Sequence, residues 1–130
     1  MKIEVSNGEI IDKYTILEIK LEQIKEPSKL VNVQNEFDSL KPIVDQIYNE
    51  THAQEVLAEL KLDLLNINKT LWNIEDIIRD HEREDRFDSD FIELARSVYY
   101  TNDERAEVKK QINELTGSAL VEEKSYQEYN

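Results

Sequence analysis

Residues 57–78 read LAELKLDLLNINKTLWNIEDII, and within them Leu57, Leu60, Leu64, Ile67, Leu71, Ile74 and Ile78 recur alternately three and four positions apart. That spacing lays one apolar stripe along a helix, the seam of a helix packed lengthwise against others. Upstream, Ile10, Tyr14, Leu17, Leu21 and Ile24 repeat it, then Leu30, Val33, Phe37, Leu40, Val44 and Ile47. Downstream the seam runs Phe87, Phe91, Leu94, Val98, Thr101, Arg105, Val108, Ile112, Leu115. Four such stretches predict an all-α fold. It is an antiparallel four-helix bundle or a set of long helical hairpins with coiled-coil-like seams.

Local signals mark the helix ends. Residues 1–6 form an extended lead-in, alternating apolar and polar from Lys2 to Val5. Ser6-Asn7-Gly8-Glu9 is a capping box, with Val5 and Ile10 as a hydrophobic staple, so the first helix runs from about Asn7 to Lys25. Pro27 suits a first helical position. Pro42 sits inside the second seam without shifting its phase, which predicts a helix kinked or broken there. Thr51-His52-Ala53-Gln54 reads as a second capping box opening the third helix, which reaches to about Glu84. Asp88 is a good N-cap for the fourth, and Gly117 a C-terminal stop. The tail, residues 118–130, is either a last turn or an extended segment beside residues 2–5.

The chain has 130 residues, a length that fits one domain over 1–130. Only two glycines and two prolines occur, leaving little room for irregular loops. The net charge of −13 repels phosphate backbones and anionic lipid heads, so neither a nucleic-acid nor a membrane partner is expected. There is no cysteine, which excludes disulfides, thiol catalysis and thiolate metal sites. The N-terminus lacks the apolar core of a signal peptide and no apolar run reaches membrane-spanning length, so a cytoplasmic location is expected.

Two helices are apolar on a second face. Ile16 and Ile19 lie behind the first seam, and Leu62, Leu65 and Trp72 behind the third. Exposed together they would exceed the apolar patch that a soluble monomer usually carries. A two-fold homodimer covers such a face directly. Cover by the second helix or the tail, within one chain, is the competing explanation.

The fourth seam breaks its own rule at Thr101 and Arg105. A guanidinium facing a bundle core requires a partner, because a buried unpaired charge is costly. Asn68 and Glu75 on the third helix and Glu18 on the first are the candidates. Such a group either grips a small anion, as in bundle enzymes of the chorismate-mutase type, or forms a polar layer that fixes helix register. The register role is favoured. A third reading makes Thr101-Asn102-Asp103-Glu104 a capping box that breaks the helix and turns Arg105 outward.

Other chemistry is thin. No phosphate-binding glycine loop, nucleophile elbow or His-Glu-x-x-His motif occurs, and no catalytic residue is assigned. The Glu-x-x-His pairs of di-iron bundles are missing, and the acidic run Asp80, Glu82, Glu84, Asp85, Asp88, Asp90 lacks the glycine of a calcium loop. No metal or cofactor is therefore expected. His52 sits in a first helical turn, and His81 falls on the third seam as a packed core residue.

The stretches IDKYTILEIK (11–20), LWNIED (71–76), ELARSVY (93–99), TNDER (101–105) and LVEEKSY (120–126) resemble a small uncharacterised family of bacterial and phage helical proteins, a domain of unknown function. The resemblance spans nearly the whole chain and is weakest over about residues 34–60. It implies no established activity and places Thr101 and Arg105 within the family pattern. The resulting expectation is a non-enzymatic, acidic helical interaction or scaffold protein whose partners are a second copy of itself or another protein. The alternative is a small-anion sensor or enzyme around Arg105.

Overall fold

The computed structural model describes residues 1–118 and contains four helices in the order α1 (Asn7–Gln23), α2 (Pro27–Glu50), α3 (Gln54–Arg83) and α4 (Ser89–Thr116). No strand occurs among the described residues, and the lead-in before Ser6 is irregular. The tail from residue 119, including the LVEEKSY stretch, lies outside them.

The expected caps explain most boundaries. Ser6 accepts the Glu9 N–H through its side chain, and Asp88 does the same for Phe91. These contacts satisfy N–H groups that a helix start leaves without intrahelical partners. Gly117 takes φ +65°, the left-handed conformation that ends a helix without a Cβ penalty. Two junctions differ from expectation. Thr51 does not cap α3; it ends α2, is buried, and its hydroxyl donates to the Ile47 carbonyl at 2.6 Å. Helix α3 therefore starts three residues later, with Gln54 Nε2 bonding back to the Tyr48 carbonyl. Pro42 lies within one continuous α2, not between two short helices. It is solvent-exposed, so the carbonyl that its ring deprives of a donor can turn to water.

Helix α1 packs against each of the other three. The core gathers at the end where α1 and α3 begin and α2 and α4 finish. It joins Ile11 and Tyr14, Val44 and Ile47, Leu57, Leu60 and Leu64, and Ile112. Burying each such side chain contributes roughly 1.5–3 kcal/mol. Tyr14 stacks on Phe37 with ring centroids 4.5 Å apart, tying α1 to α2. Burial and, next, the Glu18 carboxylate raise the Tyr14 pKa above the usual tyrosine value.

The second apolar face of α1 is covered from inside the chain. Ile19 is only 2% exposed and Ile16 is half-buried, so Ile19 is spent on the monomer's own packing rather than on an interface. On α3, Leu65 and Trp72 are half-buried, and Leu62 stays open at 56%. The α3–α4 hairpin, meanwhile, outruns the core. At 1.5 Å per residue α3 is about 45 Å long, and α1 only about 25 Å.

Close approach of α1 to α4 explains Gly8. A Cβ there would sit 2.6 Å from the Lys109 carbonyl oxygen and 2.9 Å from Asn113 Oδ1. Gly8→Ala should therefore destabilise the fold by about 1–3 kcal/mol in urea unfolding. Helix propensity alone predicts the opposite sign, a gain approaching about 1 kcal/mol, and a gain would show that the two helices are not in contact there. Stability should also hold up to about pH 10 and fall above it, as Tyr14, whose folded pKa is raised, is forced to ionise. Tyr14→Phe should flatten that alkaline limb.

Candidate functional site

Arg105 points inward and meets a residue that the seam pattern does not single out. Its Nε donates to Asp12 Oδ1 at 2.9 Å and its Nη2 to Oδ2 at 2.5 Å, a bidentate pair between α4 and α1. The planar guanidinium fork matches a carboxylate in this geometry, which makes it among the stronger ion-pair types. The Asp12 side chain is 3% exposed and that of Arg105 28%.

A third helix joins them. Asn68 on α3 uses its Nδ2 group to donate to Asp12 Oδ1 and to Thr15 Oγ1, each at 2.9 Å. Thr15, fully buried, passes its own hydroxyl proton to the Asp12 carbonyl at 2.7 Å. Asp12 thus accepts from two helices while sitting on a third. Among the described residues no buried side-chain nitrogen or oxygen lacks a partner. A buried network of this kind adds specificity only when each member is satisfied.

The contact continues towards the α4 C-terminus as a polar stripe. Glu9 pairs with Lys109, itself nearly buried. The Gly8 N–H donates to Asn113 Oδ1 at 2.7 Å, Asn7 Nδ2 to Thr116 Oγ1 at 2.9 Å, and the Asn7 N–H to Ser118 Oγ at 3.1 Å. Helices α1 and α4 therefore run antiparallel. The first N–H groups of α1 are already bonded to side chains, so that helix start offers no donors to an external anion.

Of the residues expected beside Arg105, Asn68 is brought into its cluster through Asp12. Thr101 is half-buried one turn earlier on α4 and takes no part in the Asp12 set. Helix α4 is continuous through Thr101–Glu104, which removes the local-break reading. Glu18 instead pairs with Lys61 at 2.9 Å, beside the Tyr14 ring. Glu75 is exposed and faces Arg79 on its own helix at 3.9 Å.

Sequence reasoning missed Asp12, although a signal was present. Asp12, Ile16 and Ile19 share the i, i+4, i+7 spacing of one helix face. Since that face is covered by the chain itself, Asp12 had to be covered too. Likewise Arg105, Lys109, Asn113 and Thr116 form an i, i+4, i+8, i+11 stripe beside the apolar seam of α4.

The remaining candidates are structural. His81 is 3% exposed and packs near Phe91 at the hairpin tip. Its Nδ1 lies 2.9 Å from the Arg86 carbonyl oxygen and its Nε2 3.1 Å from Arg86 Nη2. These partners assign the proton to Nδ1, with Nε2 accepting. The nearby acidic run is interleaved with cations, as in Asp80–Arg83 and Glu84–Arg86. No cluster that could hold a metal ion occurs among the described residues.

The chain belongs to a family of unknown function (DUF6165), whose model matches residues 1–129. No curated protein and no solved structure matches it.

Removing one partner of the central pair should cost far more than removing both. Arg105→Met leaves the Asp12 carboxylate buried and should lower stability by about 3 kcal/mol, near the lower end for buried pairs because Arg105 is partly wetted. Asp12→Leu combined with Arg105→Met should recover most of that loss. A double-mutant cycle with no coupling would show that the two groups do not depend on each other.

Proposed function

We infer that this protein is a non-enzymatic interaction or scaffold protein that acts as a homo-oligomer through the outer half of its α3–α4 hairpin. The observation that carries this reading is the thinness of that half. Between Leu71 and Lys109 the only buried residue is His81. The seam residues Ile74, Ile78, Phe91, Leu94 and Val98 are half-buried, and Ile77, Phe87, Ile92, Tyr99 and Tyr100 are exposed. Two helices alone cannot close an apolar seam on both sides. A second copy laid across the hairpin would supply the missing layer with two-fold symmetry. Ile19 is set aside, since it is buried in its own chain, and Ile16 is half-buried; Leu62, Leu65 and Trp72 stay as the inner margin of the interface.

An anion sensor or enzyme at Arg105 has weaker support. Asp12 occupies the Nε–Nη2 edge of the guanidinium and already supplies its counter-charge, and Asn68 and Thr15 are engaged with each other and with Asp12. A cytoplasmic setting accords with the interaction reading. No helix among the described residues is long and apolar enough to cross a membrane.

Light scattering should give a mass near twice the 15.4 kDa chain. Between Trp72 and Tyr100 there are nine acidic and four basic residues, so salt should strengthen this like-charged association. Ile77→Glu with Ile92→Glu alters two exposed positions and should give a folded monomer. A strict monomer for the wild-type chain at all concentrations would count decisively against this function.

A further inference from the structure

Helix α1 covers one side of the α3–α4 pair, through Asn68, Arg105 and Lys109. Among the described residues no helix covers the other side. There a groove of about 570 Å³ runs between the two helices, with Ile67 and Val108 as apolar lining and Asp63, Asp103, Glu104 and Glu107 around them. At 100° per residue, Asp63 lies roughly 140° around α3 from Asn68, and Glu107 roughly 160° around α4 from Arg105. The groove is therefore separate from the Asp12 cluster, and among the described residues no basic side chain lines it.

We propose that this groove docks a basic amphipathic segment of another protein, with Lys or Arg stems lying on Ile67 and Val108 and their charged heads among the carboxylates of Asp63, Glu104 and Glu107. The inference rests on the reading of this chain as an interaction protein and names the chemistry of one partner. Charge complementarity selects the occupant. The carboxylates of Asp63, Glu104 and Glu107 around a partly enclosed apolar strip focus negative potential, which an approaching cation relieves. The apolar strip adds what a free metal ion or an all-polar cation cannot use, namely a surface for aliphatic stems that keep their heads wet. A nucleic acid brings the wrong sign, and a second copy of this chain belongs, on the interaction reading, to the outer half of the hairpin, beyond the groove. The geometry also suits a helix in a groove between two helices, a recurring mode of peptide recognition.

The test uses the full chain, isotope-labelled for NMR, and a fluorescent synthetic peptide of Leu and Lys about four helical turns long. Expected are amide shifts concentrated around Ile67 and Val108 and an affinity that falls as salt rises. Glu104→Lys with Glu107→Lys, both exposed positions, should weaken binding at least about tenfold. Glu36→Lys with Asp38→Lys on α2 makes the same change in net charge on another face and should weaken it less than about threefold. Equal losses in the two variants, or shifts spread over the whole acidic surface, overturn the proposal. So does a wild-type chain that fails to bind at low salt; if that chain still dimerises, the interaction reading survives and the groove assignment alone is lost. Loss of self-association in the Glu104/Glu107 variant would give the groove to a second copy and equally overturn the assignment.

Discussion

The bidentate contact between Asp12 and Arg105 is the constraint around which the bundle is arranged. It sets α1 against α4 in one register, and Asn68 extends the same carboxylate to α3. A purely apolar interface between these helices would tolerate slippage, because one leucine fits a neighbouring hole nearly as well as the next. A carboxylate at 3% exposure does not. Displaced by a turn, it would be buried without its donors, at a cost of several kcal/mol. The Gly8 approach to the Lys109 backbone and the bonds from Asn7 and Gly8 to the end of α4 depend on that register.

The fold divides by depth. At one end all four helices contribute to a core built on Ile11, Leu57, Leu64 and Ile112, each fully buried. Beyond Leu71 the chain continues as a two-helix hairpin, closed at its tip by His81 between Phe91 and the Arg86 segment. Buried apolar residues are concentrated at the first end and exposed ones at the second. The polar cluster of Asp12, Asn68 and Arg105 belongs to the end with the four-helix core. The thin apolar seam and the acidic groove, the two proposed contact surfaces, lie on α3 and α4.

Much of this was legible in the residues. The 3,4 seams located the four helices, and Ser6, Pro27, Asp88 and Gly117 fell where caps and stops belong. What the seams could not resolve was pairing. The capping-box pattern makes Thr51 the start of α3, whereas Thr51 ends α2 with its hydroxyl buried against the Ile47 carbonyl. Arg105 announced that a partner was needed. The named carboxylates, Glu18 and Glu75, were chosen for lying beside seams, whereas Asp12 lies on the face that the other helices close over. A charged residue's partner depends on which faces meet, and periodicity within single helices does not encode that. The dimer expectation shifted for the same reason, since Ile19 proved to be covered by its own chain.

Native-state hydrogen exchange tests the division between a locked base and a thin hairpin most directly. The predicted result is that amides of α1 and of α4 from Arg105 to Asn113 exchange only through global unfolding. Amides between about residues 72 and 100 should open at a distinctly lower free energy while the base stays closed. Uniform protection along α3 and α4, or an α1 that opens before the hairpin, would contradict it.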